Sequence, residues 1–506
     1  MRQAPLVRLA LLAGLGAWSL ELGVGLAVAE PRQPQVAGAF YPADPSELRA
    51  LVTRLLEQSP APQASAQKPR LLISPHAGYR YSGLVAARAF REVQGRRYDG
   101  VVVVGFTHRG RFDGTSVDDR ESYQTPLGLI PIDPEAVAFL KTQPTIHHLE
   151  EAHAGGEHSM EVMLPFLQVA LAPQASLSEA KRAGLGDFKL VPLLMGSQSQ
   201  SDAEALAGAL AALAARGDYL FVFSTDLSHY HPYDDAVRLD TVTVNAVLGE
   251  TAGAVHRLFA GGALEACGRG PITAALLLAQ KLGYPERRLL LYKNSGDTAG
   301  DKSRVVGYGS IGMYPRESLP PEDVVSREAG MAMVAAARGA ITVRLTKASA
   351  APPLSVEAYP QLARARGLFV TLRKHGQLRG CIGRIPNEEI PLATLLPVVA
   401  LDAALRDRRF TPLTAEELGD ITVEVSVLSR PKPIQHAEEI VAGRDGVVLR
   451  KDGRSGVFLP QVWHETGWTR REFLEELASQ KAGLPSDAWQ DAQLFTFQDQ
   501  VFEEEH

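Results

Sequence analysis

A chain of 506 residues exceeds what one ordinary core accommodates, so two or three domains are expected. Hydrophobic residues make up 45% and charged residues 22%, the balance of a soluble globular protein, and a formal net charge of -6 gives no reason to expect a nucleic-acid partner. Two cysteines, Cys267 and Cys381, exclude a disulfide framework; each sits in its own local motif and reads as a free thiol.

Residues 1–29 differ from the rest. Arg2 and Arg8 precede an uncharged run over 9–20, Glu21 interrupts it, and a second apolar stretch ends in Ala27-Val28-Ala29 before Glu30-Pro31. This is the layout of a secretory signal peptide cleaved near Ala29. The run is short for a bilayer, and Glu21 would be costly inside one. Export to the periplasm or beyond is therefore expected, with no stable membrane span after cleavage.

Asp44-Pro45-Ser46-Glu47 reads as a helix start, with Asp44 as N-cap, Pro45 as the first helical residue and Glu47 as capping-box partner. Leu48, Leu51, Val52, Leu55 and Leu56 follow at helical spacing, and a loop rich in Pro, Ala, Ser and Gln covers 58–69. The apolar run at 71–74 predicts a buried strand that stops at Ser74-Pro75 and delivers His76; 82–93 reads as a helix. The pattern repeats at 100–105, a strand delivering Thr107-His108. A loop over 145–158 holds His147, His148, His153 and His158, and Glu157-His158-Ser159 opens an apolar helix running to about Leu171. Then come a strand at 188–195, an alanine-rich helix at 202–216, and a strand at 219–224 that delivers Thr225-Asp226-Leu227-Ser228-His229. A helix at 233–249 is followed by another just after Cys267, with Pro271 at its first position, and strands at 288–292 and 304–313 close the domain. Strands alternating with helices over 33–315 argue for an α/β sheet with helices on both faces.

The composition shifts near 315–322, which predicts a linker over 316–324 and a second domain over 325–501. There a helix at 324–340 precedes strands at 367–373 and 377–383, joined by a His375-Gly376 turn. A helix at 390–406, a strand at 422–428, a hairpin about Lys451-Asp452-Gly453-Arg454 and a helix at 468–481 complete it. Helices and strands come in mixed order, so this domain is expected to be α+β.

Four motifs of the first domain present metal-type ligands at strand ends or helix starts: His76, His108, His229 with Asp226, and Cys267. A lone histidine at a strand end is more often a structural hydrogen-bonding residue. Together they gain weight, because strand ends of such a sheet gather along one edge. Two imidazoles and a thiolate suit iron, copper or zinc with an open position for substrate. Cys267 just before a helix favours a thiolate, or is simply a small buried side chain. Asp226 and His229 suit acid–base work, the carboxylate orienting the imidazole; the plainer alternative is an Asx turn followed by a surface histidine. His158, with Glu157 and Glu161 on one side of a helix start, could support the site or bind substrate, or be structural. Tyr79 and Tyr81 could line a pocket or merely pack, and His147, His148 and His153 read as a solvated loop. In the second domain Cys381 lies between glycines and is a nucleophile or a buried thiol, while Arg379, Arg384, Arg406 and Arg409 form an anion site or a solvated face.

The stretches PHAGYRYSG, GFTH, EHSMEVMLPFLQ, STDLSHY and CGRGPI occur in that order, and together they resemble the Memo family, also called AmmeMemoRadiSam system protein B. The resemblance implies a fold like that of the class III extradiol dioxygenases. It also implies a metal site from His76, His108 and Cys267, with His229 and Asp226 nearby; in those dioxygenases a carboxylate typically completes the set. The second domain carries LRGCIG, RDRRFTPL, EVSVLS, GVFLPQV and KAGL and looks like the AMMECR1 family, AmmeMemoRadiSam system protein A. The family name implies a radical-SAM partner protein. This chain has no CxxxCxxC motif and is not that partner, and export would separate the two. The functional expectation is a dioxygenase-like redox protein with one iron or copper ion acting on an unknown small molecule or peptide. The alternatives are a non-catalytic metal- or peptide-binding module and a zinc-dependent hydrolase.

Overall fold

The structure is a computed structural model that describes residues 30–60, 68–172, 188–315, 323–348, 354–385 and 390–504. The expected signal peptide, most of the linker and the middle of the 58–69 loop lie outside the described residues. No described helix is long and apolar enough to cross a membrane.

The chain opens with α1 (Pro45–Gln58), where Asp44 Oδ1 accepts from the Ser46 and Glu47 N–H groups at 2.8 and 2.9 Å. Asp44 caps alone; the reciprocal bond expected from Glu47 does not form. There follow β1 (Leu71–Ser74), α2 (Tyr79–Arg91), β2 (Gly100–Phe106), β3 (Thr115–Val117), β4 (Ser122–Thr125), β5 (Gly128–Pro131), α3 (Pro134–Leu140) and β6 (Ile146–His147). Next are α4 (Leu164–Ala170), β7 (Lys189–Met195), α5 (Gln200–Ala214), β8 (Tyr219–Ser224), β9 (His229–His231), α6 (Tyr233–Gly249), α7 (Ala252–Ala260), α8 (Arg269–Leu282), β10 (Glu286–Asn294), α9 (Ser295–Ala299) and β11 (Val305–Tyr314).

These strands build a nine-stranded mixed sheet in the order β10-β11-β1-β8-β2-β7-β3-β6, with β9 paired to β11 off that path. β1, β8, β2 and β7 are mutually parallel neighbours, and β11 pairs antiparallel with β1. The residues explain the placement: β1, β2 and β8 are near-continuous apolar runs buried along their whole length, as central parallel strands must be. Helices pack on this sheet: α2 on β1, β10 and β11, and α8 on β1, β2 and β8.

Several boundaries differ from expectation. α2 starts at Tyr79, so both tyrosines lie in its first turn. α8 starts at Arg269 after Gly268, which makes Pro271 its third residue rather than its first. The expected loop at 145–158 contains the short strand β6 and a 3-10 turn at Glu150–His153. The helix expected from Glu157 begins only at α4, after a 3-10 turn at Glu161–Met163. The reason is local: Glu157 Oε1 takes the N–H groups of His158 and Ser159, both at 2.8 Å, which holds the chain in a turn.

The second segment comprises α10 (Arg327–Thr346), β12 (Leu368–Lys374), β13 (Gln377–Arg384), α11 (Leu392–Leu405), β14 (Ile421–Leu428), β15 (Lys432–Ile434), β16 (Gly446–Lys451) and β17 (Arg454–Phe458). α12 (Val462–Thr466), α13 (Arg470–Glu476), β18 (Gln493–Phe497) and β19 (Asp499–Glu503) complete it. Its strands form two four-stranded antiparallel sheets, β13-β12-β14-β19 and β15-β18-β16-β17. The β16–β17 hairpin turns at Asp452-Gly453, with φ of 50° and 72°, the left-handed pair that an Asp-Gly sequence favours. The two segments touch: Arg444 Nη1 reaches Glu286 Oε2 at 2.7 Å, and the Ala442 N–H donates to the Gly249 carbonyl at 2.8 Å.

A buried polar cluster ties residues 32–41 to the sheet. Glu161 accepts from Arg32 Nη1 (2.9 Å), from the Gln35 and Val36 N–H groups, and from the Tyr41 hydroxyl (2.6 Å). Arg32 also donates to the carbonyls of His153 and Glu157 at 2.9 and 2.6 Å. The Arg32 and Glu161 side chains are only 4% and 1% exposed, so removing one charge strands the other. Arg32→Ala is expected to lower unfolding free energy by about 3–5 kcal/mol, read from urea denaturation.

His153 extends the cluster. Its Nε2 meets Ser116 Oγ at 2.9 Å, while its buried Nδ1 has no hydrogen-bond partner and lies 3.8 Å from Asp118 Oδ2. Burial pushes this imidazole down to about 4, against the pull of Asp118. The folded protein therefore keeps His153 neutral while the unfolded chain, near 6.5, takes up a proton. Its contribution is complete above pH 6.5 and is lost as the pH falls toward 4. His153→Gln should flatten the decline in stability across that window by about 3 kcal/mol. Denaturation midpoints of both proteins between pH 7 and 4 check this, and parallel curves would contradict it.

Candidate metal centre

The register of the parallel strands sets the site. Ser74 of β1 lies opposite Ser224 of β8, Phe223 of β8 opposite Val104 of β2, and Phe106 of β2 opposite Met195 of β7. The C-terminal ends of these strands form one edge, and the residues just beyond them meet there. His76 follows β1, His108 follows β2, Asp226 follows β8, and His158 comes from the turn held by Glu157. The metal-binding atoms of His76, His108 and His158 all lie within 4.8 Å of one another, a candidate metal-binding cluster. Their ring centroids are 5.2 Å apart for His76–His108, 5.7 Å for His76–His158 and 4.7 Å for His108–His158.

Hydrogen bonds orient two of these rings. Ser224 Oγ donates its one proton to the Ser159 carbonyl, so toward His76 Nδ1, at 2.7 Å, it must accept. His76 therefore carries its proton on Nδ1 and presents the Nε2 lone pair. His108 Nδ1 lies 3.1 Å from Glu157 Oε1, and the His108 N–H donates to Glu157 Oε2 at 2.8 Å. Burial alone would raise the Glu157 carboxyl, but the His108 ring and the His108 and Ser159 N–H groups outweigh it and hold it well below the usual carboxylate range. Burial, then the neighbouring imidazoles, push His76 well down, and burial with His108 lowers His158, so both stay neutral. Neutral imidazoles are what a metal binds.

Cys267 lies beside this group but outside its 4.8 Å circle; its Sγ is 3.6 Å from His76 Nε2. The Asp226 N–H donates to this sulfur at 3.1 Å. Burial pushes the thiol up, so the thiolate expected from the nearby helix start does not form unaided. Asp226 Oδ1 accepts from the His76 N–H at 2.9 Å, and burial raises its carboxyl to about 6, opposed by that bond and by His229. The His229 N–H is anchored on Glu265 Oε1 at 2.8 Å, and its ring interacts electrostatically with both Asp226 and His76. The Tyr79 hydroxyl is consumed by the Val162 carbonyl at 2.7 Å, and Tyr81 is exposed.

Sequence reasoning passed over Ser224, Ser159 and the clamp formed by Glu157. A serine ending an otherwise apolar strand was the available signal, since a buried hydroxyl must find a partner. A second group with metal-like spacing, Asp118, Asp119 and His148, is already neutralised. Arg120 pairs with Asp118 at 3.1 Å and Lys141 with Asp119 at 2.6 Å.

The second segment assembles no comparable centre among the described residues. Both cysteines are free, and burial raises the Cys381 thiol, which accepts from Thr371 Oγ1 at 3.3 Å. The four arginines singled out there are paired: Arg379 with Glu417, Arg384 and Arg406 with Asp402, and Arg409 with Asp407. Each guanidinium thus has a carboxylate partner, with Asp402 shared between Arg384 and Arg406.

The model of the Memo family, described as Memo-like protein, matches residues 32–312, and that of AMMECR1 matches 334–502. A MEMO1 family protein of Sulfolobus acidocaldarius is 34% identical over 294 residues, covering 55% of this chain and 98% of that protein. One from Methanosarcina mazei is 36% identical over 286 residues, covering 56% and 98%. An uncharacterised protein of Pyrococcus horikoshii with a solved structure is 38% identical, covering 36% of this chain and 94% of that one, at a TM-score of 0.34. The chain thus belongs to the Memo family, with an AMMECR1 domain fused after it.

Proposed function

We propose that His76, His108 and His158, with the Cys267 thiol as a fourth donor, hold one iron or copper ion, and that the protein is a dioxygenase-like oxidoreductase acting on a small molecule. The observation that carries this reading is the pair of oriented rings: Ser224 and Glu157 occupy the Nδ1 atoms of His76 and His108, which leaves the Nε2 atoms for a metal, that of His76 now meeting the Cys267 thiol at 3.6 Å. The three imidazoles fit a metal, their donor atoms lying within 4.8 Å of one another; Cys267 Sγ meets that spacing against His76 but not against the whole group, so it would have to turn inward to become the fourth donor. A tetrahedral centre with about 2.0 Å to nitrogen and about 2.3 Å to sulfur spaces those donors by ~3.5 Å. His76 Nε2 and Cys267 Sγ are 3.6 Å apart. Bound there, iron or copper would supply redox chemistry and polarise a substrate oxygen. Asp226, poised near neutrality beside the site, and His229 would hold and move the proton.

Elemental analysis of the purified full chain tests this, with close to one iron or copper per chain expected. His158→Ala and Cys267→Ser should each lower occupancy, and full retention in either removes that residue from the ligand set. Glu157→Gln should weaken metal binding about 10–100-fold by releasing His108. Zinc in place of iron or copper would favour a hydrolase, since it accepts the same donors. Oxygen uptake with catechols or thiols that disappears in His229→Ala would distinguish an enzyme from a binding module. Residues 1–29 are further proposed to direct export, for which a mature N-terminus at Glu30 in the exported fraction is the expected result.

A further inference from the structure

We infer that a cleft next to the histidine cluster is a subsite for a small organic anion, a ring or short chain bearing a carboxylate or phosphate. The cleft has a volume of about 480 Å³ and is lined by Phe106, Arg111, Met195, Ser197, His256 and Arg269 among others. That size suits a small molecule and is generous for a bare ion. Phe106 joins it to the histidine cluster, since its ring lies 5.8 Å from that of His76 and 4.4 Å from that of His108. A ligand against Phe106 therefore sits beside the proposed metal ligands.

The charge in the cleft is positive and unspent. Among the described residues neither Arg111 nor Arg269 pairs with a carboxylate or donates a side-chain hydrogen bond, unlike the four arginines of the second segment. This stands out on a chain whose net charge is -6. Two acidic side chains of α5 are engaged on their own helix: Asp202 accepts from Ser199 Oγ and Glu204 from Gln200 Nε2, both at 2.8 Å, while Glu204 also acts on the His256 ring. Ser199, the N-cap of α5, and Arg269, the first residue of α8, both line the cleft, so the positive ends of a 15-residue and a 14-residue helix open onto it. Burial, then Arg269, lowers the His256 imidazole, which leaves it a neutral hydrogen-bonding group.

The walls are built to hold that shape. Gln198 donates to the Cys267 carbonyl at 3.0 Å and accepts from the Gly270 N–H at 2.8 Å, tying the strand end of β7 to the loop before α8. A Cβ on Gly270 would press on Gln198 at 3.1 Å. Phe106 and Met195 give the cleft an apolar side, which suits the body of an organic anion while the guanidinium groups take its head. Calling this subsite the substrate arm rests on the metal reading; the binding of an anion does not.

The test is calorimetric titration of the full chain, stripped of metal with chelator, at low ionic strength, with benzoate and inorganic phosphate as separate probes. At least one should bind, and the double variant Arg111→Gln, Arg269→Gln should weaken it by about tenfold or more for each guanidinium lost. Both side chains are exposed and unpaired, so the variant leaves the core untouched. Benzoate binding alone assigns a carboxylate ligand, and phosphate binding alone assigns a phosphorylated one. Failure of both probes, or equal affinity in the double variant, overturns the subsite. A chain that holds no metal yet binds benzoate loses the oxidoreductase reading and keeps the subsite, and the reverse result separates them equally well.

Discussion

Parallel pairing of β1, β8, β2 and β7 is the constraint on which the rest depends. Parallel neighbours end on the same side, so residues separated by up to 191 positions in the chain, His76 and Cys267, come within 3.6 Å. Their order in the sheet matters as much as their direction. β8 lies between β1 and β2, which puts Ser224 under His76 and Asp226 against its backbone N–H. One strand carries the groups that orient the ligand carried by its neighbour.

Two carboxylates from one short stretch then fix the rim of that edge. Glu157 turns outward to His108 and to the N–H groups that follow it, and Glu161 turns inward to Arg32 and Tyr41. Both are nearly fully buried, and each is satisfied by several donors. The cost is a delayed helix: N–H groups that would have started it are spent on Glu157. That delay is what leaves His158 on a turn, free to face His76 and His108.

The two segments treat charge in opposite ways. In the AMMECR1 domain the conspicuous arginines are each answered by an acid close at hand, which is the arrangement of a stabilised surface. Beside the Memo centre Arg111 and Arg269 have no such answer among the described residues, and two helix ends add to their field. Unneutralised positive charge in a concave place asks for a ligand in a way that a paired arginine does not.

Much of this was legible in the residues. Continuous apolar runs at β1, β2, β7 and β8 announced buried strands, and those at β1, β2 and β8 were each followed by a polar motif that named a candidate ligand. Asp44-Pro45 marked its helix, and Asp452-Gly453 its hairpin, because caps and tight turns are local chemistry. The short strands β3 to β6 were not legible. They are only two to four residues long, too short to show a period, and β3 and β6 also pair with partners far along the chain, although β4 and β5 form a local hairpin. Nor could the chain order say that β9 and β11 would pair, or that β11 would lie antiparallel to β1. Which side chains were available for chemistry, and that they would stand at strand ends, follows from neighbouring residues alone. That His158 joins His76 and His108 while Cys267 stands just outside, and that burial raises its thiol, is set by the packing of distant elements. Those outcomes depend on distances and desolvation between elements far apart in the chain, which no local pattern encodes.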